Sequence, residues 1–246
     1  MIQCALNGGY GRDDHPDVPV TQEQLVANAI ACHAAGAPSV HLHPRRPDDG
    51  GQTLMAEVHD AVVAAVRAAV PGLEVSCSTA EDIDLGGAED RIAAIRSWTC
   101  PPDLVSLNLA EEGTIELGGA LLEAGIGIEA GVFTLDDADR LLAAPWAGSV
   151  HRVLVETIFE HDGAAAVALA RAIDARVSIL GRPRLWHGDG RASWAVVDAG
   201  LDAGVDVRVG LEDTLVGRDG GRAAANADQV AQTVSALASA AGRGRH

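Results

Sequence analysis

Short apolar runs alternate with longer helix-like segments along the whole chain. The apolar runs have strand length and occur at 2–7, 40–43, 73–78, 104–109, 126–130, 150–158, 184–187 and 205–211. The helix-like segments follow them at 22–35, 55–70, 87–97, 118–124, 135–143, 164–174, 193–203 and 226–240. Near-continuous apolar strands separated by helices are typical of a parallel sheet. Eight strand–helix units in 246 residues predict one (β/α)8 TIM barrel that spans residues 1–246.

In a TIM barrel the active site forms at the carboxyl ends of the strands. The predicted strand ends carry a ring of polar side chains. Its members are Asn7, His41, His43, Ser78, Thr79, Ser106, Asn108, Glu129, Glu156, His187, Arg208, Glu212 and Asp213. Inward charges at these positions are costly unless they are paired or bind a metal. The ring therefore predicts an active site at the mouth of the barrel.

The second strand ends in Val40-His41-Leu42-His43-Pro44-Arg45. Because strand side chains alternate between two faces, His41 and His43 point to the same side. Paired imidazoles suit zinc and similar metals, so this spacing favours a metal site. The alternative interpretation is a pair of core histidines that only form hydrogen bonds.

The segment 207–214 is the second region that predicts chemistry. If the last strand continues to 211, Arg208, Gly210 and Glu212 share one face, and the Glu212 carboxylate meets the histidine pair across the barrel mouth. Two imidazoles and one carboxylate leave coordination positions open for a substrate, as in catalytic metal sites. Asp213 then lies beside the metal as a candidate base. Without the histidines, the alternative interpretation of Glu212 and Asp213 is an acidic turn.

Composition restricts the chemistry and the partners. The net charge is −17 and the pI is near 4.7, which argues against nucleic acid or an anionic membrane surface as a partner. All 18 basic residues are arginine, so mechanisms that need a Schiff-base or carbamylated lysine are excluded. We expect four reduced cysteines, no spanning helix, no signal peptide and a cytoplasmic location.

Several stretches together resemble a known enzyme family. In chain order they are Asn7-Gly8-Gly9, His15-Pro16, Val18-Pro19-Val20-Thr21, Ala35-Gly36-Ala37, His41-Leu42-His43-Pro44-Arg45, Ser78-Thr79, Ser106-Leu107-Asn108, Gly210-Leu211-Glu212-Asp213 and Asn226. They are similar to the β-keto acid cleavage enzymes of the 3-keto-5-aminohexanoate cleavage type. The resemblance runs nearly from end to end.

The resemblance implies a zinc-dependent barrel that reacts a β-keto acid with acetyl-CoA to give acetoacetate and a new acyl-CoA. It also implies a homo-oligomer. The implied site comprises the metal ligands His41, His43 and Glu212, the catalytic residues Asp213, Arg208 and Ser78, and the substrate-binding residues Ser106, Asn108, Glu129 and Thr79. In this scheme Asp213 removes a proton from the keto acid, and Glu129 faces the variable end of the substrate. A structural ion pair between Glu129 and an arginine is the alternative for that residue.

The chain departs from the family pattern after its first strand. Tyr10 stands where family members often carry an acidic residue, so either Asp13 or Asp14 reaches into the site or the proton network is arranged differently. Ala80 replaces a glycine after Ser78-Thr79. Candidate binding groups for the phosphates of coenzyme A are arginines of the barrel-mouth loops, namely Arg45, Arg46 and Arg218.

Two other functions fit part of the pattern. Metal-dependent barrel hydrolases also use a His-x-His strand, but they generally place it on the first strand and add histidines on the fifth and sixth. Here the pair lies on the second strand and the fifth ends in Glu129. A catalytically silent barrel that binds an acyl-CoA or a partner protein is the other alternative.

Overall fold

Eight parallel strands close into a barrel in chain order in the computed structural model, which describes residues 1–84 and 86–243. The strands are β1 Ile2–Ala5, β2 Ser39–Leu42, β3 Glu74–Ser78, β4 Leu104–Asn108, β5 Gly127–Val132, β6 Arg152–Thr157, β7 Arg184–Gly188 and β8 Asp206–Val209. The helices are α1 Gln22–Ala35, α2 Ala56–Ala69, α3 Ala88–Ser97, α4 Thr114–Glu123, α5 Leu135–Ala143, α6 Gly163–Val177, α7 Ser193–Ala203 and α8 Asn226–Arg243. Short 3-10 helices occur at Ala147–Ser149, Ser178–Leu180 and Gly190–Ala192. The predicted (β/α)8 barrel is confirmed.

Strand residues alternate between the barrel interior and the surrounding helices. Along β3, Val75 and Cys77 pack in the apolar layer between strands and helices, whereas Ser76 and Ser78 point inward. Hydrogen-bonded pairing of β1 with both β2 and β8 closes the barrel, so Cys4 lies between Val40 and Val209. The apolar layer holds the helices, and the inward positions are free to carry polar groups.

The last strand is shorter than its apolar pattern predicts. We expected a strand over 205–211, but β8 ends at Val209, so the prediction that Glu212 shares a strand face with Arg208 is wrong. Gly210 has φ +153°, and a side chain there would overlap the backbone of Ala5 on β1. The chain therefore turns at Gly210, whose carbonyl oxygen accepts a hydrogen bond from the Thr214 N–H at 3.0 Å. Glu212 reaches the site from this turn.

Asn226 connects the ends of two strands to the outer helices. Its Oδ1 accepts a hydrogen bond from the Leu211 N–H at 2.8 Å, and its Nδ2 donates to the Leu6 carbonyl at 2.9 Å and to Asn28 Oδ1 at 3.1 Å. Both backbone groups lie just past the ends of β1 and β8, where ladder hydrogen bonds are lost. Asn226 thereby fixes the turn that carries Glu212.

Helix α4 begins four residues before its predicted start at Gly118. The Thr114 hydroxyl donates to the carbonyl of Glu111 at 2.7 Å and secures the first turn. The adjacent glycines Gly118 and Gly119 weaken the helical pattern locally, and tertiary packing overrides them. Among the described residues, no helix is long and apolar enough to cross a membrane.

Candidate active site

A cavity of about 390 Å³ opens at the carboxyl ends of the strands. Eight of the predicted site residues line it, namely His41, His43, Ser78, Ser106, Asn108, Arg208, Glu212 and Asp213. They come from β2 and the residue that follows it, from β3, β4 and β8, and from the turn after β8. The barrel therefore brings together residues that lie up to about 170 positions apart in the chain.

The two histidines face each other at the base of this cavity. His41 Nε2 lies 3.2 Å from His43 Nε2, and Glu212 Oε1 lies 3.7 Å and 3.5 Å from these two nitrogens. Both rings are buried. Three ligand atoms, one from each residue, lie within 4.8 Å of one another.

Hydrogen-bond partners define which ring nitrogen carries the proton. His43 Nδ1 contacts Gln52 Oε1, which only accepts hydrogen bonds, so Nδ1 donates. His41 Nδ1 lies 2.9 Å from the Ser76 hydroxyl, whose own proton goes to the Glu129 carboxylate. In the neutral form of each ring, the unprotonated nitrogen is therefore Nε2.

This arrangement fits a divalent metal ion. Two lone pairs that face each other at 3.2 Å repel unless a cation lies between them. Glu212 adds a carboxylate, and its Oε2 is buried with no hydrogen-bond partner among the described residues. Two imidazoles and one carboxylate are a common zinc ligand set that leaves a position open. His41, His43 and Glu212 are the residues that would hold the metal.

Electrostatics keep these groups in their metal-binding forms. Burial lowers the pKa of His41 well below its usual value, which favours the neutral imidazole. Burial alone would raise the pKa of Glu212, but the Arg208 guanidinium opposes this effect, and the pKa is held well below the usual value. A carboxylate and a neutral imidazole are the forms that bind a cation.

Asp213 lies next to the three candidate metal ligands but has a different electrostatic environment. Burial raises the pKa of its carboxyl against the opposing effect of Arg208, and the neighbouring Glu212 charge raises it further. Arg208 Nη2 donates to Asp213 Oδ1 at 2.6 Å and to Glu212 Oε1 at 3.1 Å. Arg208 therefore fixes both carboxylates, and Asp213 is the better proton acceptor of the two.

A buried histidine lies between Asp213 and a further carboxylate. His187 Nδ1 lies 3.5 Å from Asp213 Oδ1, and His187 Nε2 lies 3.1 Å from Glu156 Oε2. The sequence places Glu156 and His187 at strand ends, but their residue types alone do not assign them a role. Their register makes them neighbours, because Glu156 on β6 pairs with His187 on β7.

Glu129 does not face the substrate, which corrects the prediction for this residue. It is fully buried beneath the histidines and forms an ion pair with Arg152 at 2.9 Å. Gln3 Nε2 also donates to its Oε1 at 2.8 Å. The alternative of a pairing with arginine is the one observed. Through Ser76, Glu129 instead orients His41.

Thr79 also lies away from the cavity. Its side chain is buried, and its hydroxyl donates to the Ser106 carbonyl at 2.8 Å. This contact links the ends of β3 and β4 and positions Ser78 and Ser106, which do line the cavity. The prediction that Thr79 contacts the substrate is therefore corrected to a supporting role.

No acidic group from the loop after β1 lines the cavity among the described residues. Asp13 is exposed, and Asp14 accepts a hydrogen bond from the Gly11 N–H at 2.9 Å. Gln52, which the sequence does not single out, lines the cavity instead and contacts His43. Tyr10 stands where family members often carry an acidic residue, and neither Asp13 nor Asp14 takes its place in the cavity. The geometry therefore favours a different arrangement of the proton network.

The three arginines considered for coenzyme A are engaged with the protein itself. Arg45 donates to the carbonyls of Gly8 and Tyr10. Arg46 pairs with Asp49 and Asp84, at 3.0 Å and 2.6 Å. Arg218 pairs with Asp198 at 2.9 Å and stacks on the indole ring of Trp194. Any of them would have to exchange these contacts to bind a phosphate.

Comparison with known families identifies the family of the chain. The family described as beta-keto acid cleavage enzyme matches residues 1–244. The chain belongs to this family. The 3-keto-5-aminohexanoate cleavage enzyme of Fusobacterium nucleatum is 26% identical to it, over 95% of this chain and 89% of the relative. The 3-dehydrocarnitine:acetyl-CoA trimethylamine transferase of Rhizobium meliloti is 26% identical, over 97% of this chain and 90% of the relative.

Solved structures of other proteins share the barrel fold of the present chain. The structure called "Ternary complex of ObcA with C4-CoA adduct and oxalate" has a TM-score of 0.73 and 21% identity. The alignment covers 93% of this chain but 65% of the ObcA chain, so the present chain spans less than two thirds of ObcA. At this identity the likeness concerns the fold.

Proposed function

We propose that the protein is a zinc-dependent acyltransferase that reacts a β-keto acid with acetyl-CoA and releases acetoacetate and a new acyl-CoA. The observation that carries the proposal is the facing pair of unprotonated nitrogens of His41 and His43, closed by Glu212 and flanked by buried Asp213. Family membership supports the same reaction. The Rhizobium meliloti relative is itself named as an acetyl-CoA transferase.

The proposed role of the metal is to supply positive charge for catalysis, not to stabilise the fold. When bound by His41, His43 and Glu212, zinc provides the positive charge that makes the carbon between keto group and carboxylate easier to deprotonate. The chain contains no lysine that could do the same through an imine. Ser76 and Gln52 hold the two rings so that both Nε2 atoms stay available.

Asp213 is the proposed base. Its raised pKa brings it closer to that of a carbon acid than an exposed aspartate would be. Arg208 holds the carboxylate in place, and Ser78, Ser106 and Asn108 line the cavity as polar contacts for the substrate. We therefore propose for Arg208, Ser78, Ser106 and Asn108 the roles that the family resemblance implies.

The proposed reaction balances without an added oxidant or cysteine. Asp213 takes a proton from the activated carbon, which attacks the thioester carbonyl, and coenzyme A leaves as a thiolate. The thiolate then attacks the original keto carbon, and the bond to the activated carbon breaks. The new acyl-CoA forms, and the acetoacetate carbanion takes the proton back from Asp213. The buried side chains of His187 and Glu156 adjoin this base.

We also propose a cytoplasmic location and a homo-oligomeric assembly. The proposed acetyl-CoA co-substrate is consistent with this location. The assembly follows from family membership and from the prevalence of symmetric oligomers among enzymes. A sedimentation measurement on the purified protein tests the assembly directly.

Labelled acetyl-CoA tests the reaction. The zinc-loaded protein is incubated with a panel of β-keto acids and acetyl-CoA that carries ¹³C in both acetyl carbons. We expect acetoacetate labelled at its keto and methyl carbons, together with an unlabelled new acyl-CoA, both seen by mass spectrometry. Chelation should abolish both products, and restored zinc should recover them. Unlabelled acetoacetate, simple hydrolysis products or chelator-resistant turnover would contradict the proposal.

A further inference from the structure

Arg45 lies at the base of a short hairpin that follows the end of β2. Arg45 and Gln52 form an isolated antiparallel bridge, which closes the hairpin 45–52. The Arg45 guanidinium also donates from Nη1 to the Gly50 carbonyl at 3.2 Å. The side chain of the first hairpin residue therefore braces the whole hairpin.

The same guanidinium holds the loop after β1. Its Nη2 donates to the carbonyls of Gly8 and Tyr10, the second at 2.8 Å. Arg45 thereby joins two segments that lie 35 positions apart in the chain. A lysine has a single nitrogen on a flexible stem and could not reach all three carbonyls at once.

Each of these two segments contacts a different candidate metal ligand. In the hairpin, Gln52 Oε1 accepts a hydrogen bond from His43 Nδ1 and fixes the tautomer in which Nε2 faces the site. In the loop after β1, Gly8 packs directly against Glu212, since a methyl group on Gly8 would overlap the Glu212 side chain. Arg45 therefore supports the surroundings of both ligands.

Asn7 connects the loop after β1 to His43 as well. Its Nδ2 donates to the His43 carbonyl and its Oδ1 accepts from the His43 N–H, both at 2.9 Å. Asn7 is fully buried. A shift of this loop would therefore move the backbone of His43 together with the surface against which Glu212 rests.

The position and the charge of Arg45 have opposite consequences for a metal ion. Burial lowers the pKa of Arg45, and the Glu212 carboxylate opposes this effect, so the two charges interact. A positive charge this close to the site repels a divalent cation. If Arg45 acted only through its charge, its removal would tighten metal binding.

We infer that Arg45 is a positioning residue for the metal site, which holds His43 and Glu212 in place through the hairpin 45–52 and the loop after β1. The inference rests on the metal site of the proposed function but not on the proposed reaction. It gives Arg45 a role other than binding a phosphate of coenzyme A. Loss of a group that orients metal ligands typically lowers metal affinity by about 10- to 100-fold.

Zinc affinity of the purified protein, measured by competition with a chromophoric chelator, tests the inference. Arg45→Gln removes the charge and the guanidinium donors and should weaken zinc binding by about 10-fold or more. Arg45→Lys keeps the charge but not the three hydrogen bonds, and it should weaken binding by about threefold or more.

Arg12→Gln is the matched control. It removes the same charge from an exposed side chain of the loop after β1, and zinc affinity should stay within about twofold of the original. Unchanged or tighter zinc binding in Arg45→Gln would overturn the inference. So would an equal loss of affinity in Arg12→Gln.

A double-mutant cycle tests the connection through the hairpin. Gln52→Ala removes the hydrogen bond to His43 and should weaken zinc binding by itself. Arg45→Gln should then cost at least about threefold less zinc affinity in the Gln52→Ala protein than in the unaltered protein. Independent losses in the two variants would overturn the connection through Gln52.

Urea unfolding of the zinc-free proteins separates positioning from a loss of the fold. We expect Arg45→Lys to unfold cooperatively without zinc and still to bind zinc less tightly than the unaltered protein. If zinc binding weakens only in variants that have lost the cooperative transition, the inference is overturned.

The outcomes also separate this inference from the proposed reaction. If the Arg45 variants lose zinc affinity but the unaltered protein turns over no keto acid, the positioning role stands and the proposed reaction is wrong. If the variants keep their zinc affinity and bind acetyl-CoA less tightly instead, the inference is wrong and the proposed reaction stands. Failure of the unaltered protein to bind zinc would overturn both.

Discussion

The adjacent carboxylates Glu212 and Asp213 have pKa values that are shifted in opposite directions. Glu212 faces the Arg208 guanidinium, so its pKa is held low despite burial. Asp213 shares Arg208 but is buried beside the negative charge of Glu212, and its pKa is raised. One residue is thereby suited to bind a cation and the next to accept a proton.

Asp213→Asn separates these two roles. Loss of the base should lower kcat by about 100-fold or more, while the zinc content stays at that of the unaltered protein, because an asparagine cannot accept the proton. The measurements are acetoacetate formation and metal analysis of the purified variant. Asp14→Asn is the matched control, since that carboxylate lies in the loop after β1 outside the cavity, and it should retain full activity. Nearly normal turnover in Asp213→Asn would rule out its role as the base.

At the scale of the elements, helix α4 contains two consecutive glycines in different surroundings. A side chain on Gly118 would overlap the indole ring of Trp146, which is buried and donates its Nε1–H to the Ile115 carbonyl at 3.0 Å. A side chain on Gly119 would meet no atom within 4 Å. Gly118 is therefore required for close packing, whereas Gly119 only costs helix stability.

The two alanine variants should therefore shift stability in opposite directions. Gly118→Ala should lower the free energy of unfolding by about 1–3 kcal/mol, because the fixed indole ring cannot move aside. Gly119→Ala should raise it by about 0.5–1 kcal/mol through higher helix propensity. Urea denaturation followed by circular dichroism measures both. Changes of the same sign in the two variants would show that α4 is not packed in this way.

At the scale of the whole molecule, His59 couples stability to pH. Its ring lies on α2, is fully buried and stacks on Trp98 with ring centroids 3.9 Å apart. Neither ring nitrogen has a hydrogen-bond partner among the described residues. Burial lowers the pKa of His59 from 6.5 to about 4, although the nearby Asp60 charge opposes this effect.

The sign of the pH dependence follows from this lowered pKa. Between pH 6.5 and about 4, the unfolded chain binds a proton at His59 that the folded chain does not. The free energy of unfolding should therefore fall as the pH drops through this window, by about 3 kcal/mol from His59 alone. His59→Leu should flatten this part of the profile, measured by denaturation at a series of pH values. His161→Gln, which removes an exposed imidazole, is the control and should leave it unchanged.

Prediction from the sequence succeeded where a periodic pattern dictates geometry. The alternation predicted for the second strand placed His41 and His43 on one side, and the order of strands and helices predicted the barrel. The prediction that Glu129 faces the cavity failed, because a residue at the end of a strand and one inside the barrel differ by only one or two positions in the sequence. Glu129 lies inside the barrel below the cavity and is paired with Arg152.

The sequence by itself determined the fold class and the family, and it pointed to the residues proposed to hold a metal, since each of these rests on spacing within one element or on local motifs. Only the tertiary structure decided how Glu212 reaches the histidines, because a turn at Gly210 beside Ala5 replaces the expected strand. It alone placed Glu156 and Asn108 around Gly131, because contacts between strands depend on register. Register is a property of the closed barrel and is not encoded in any single strand.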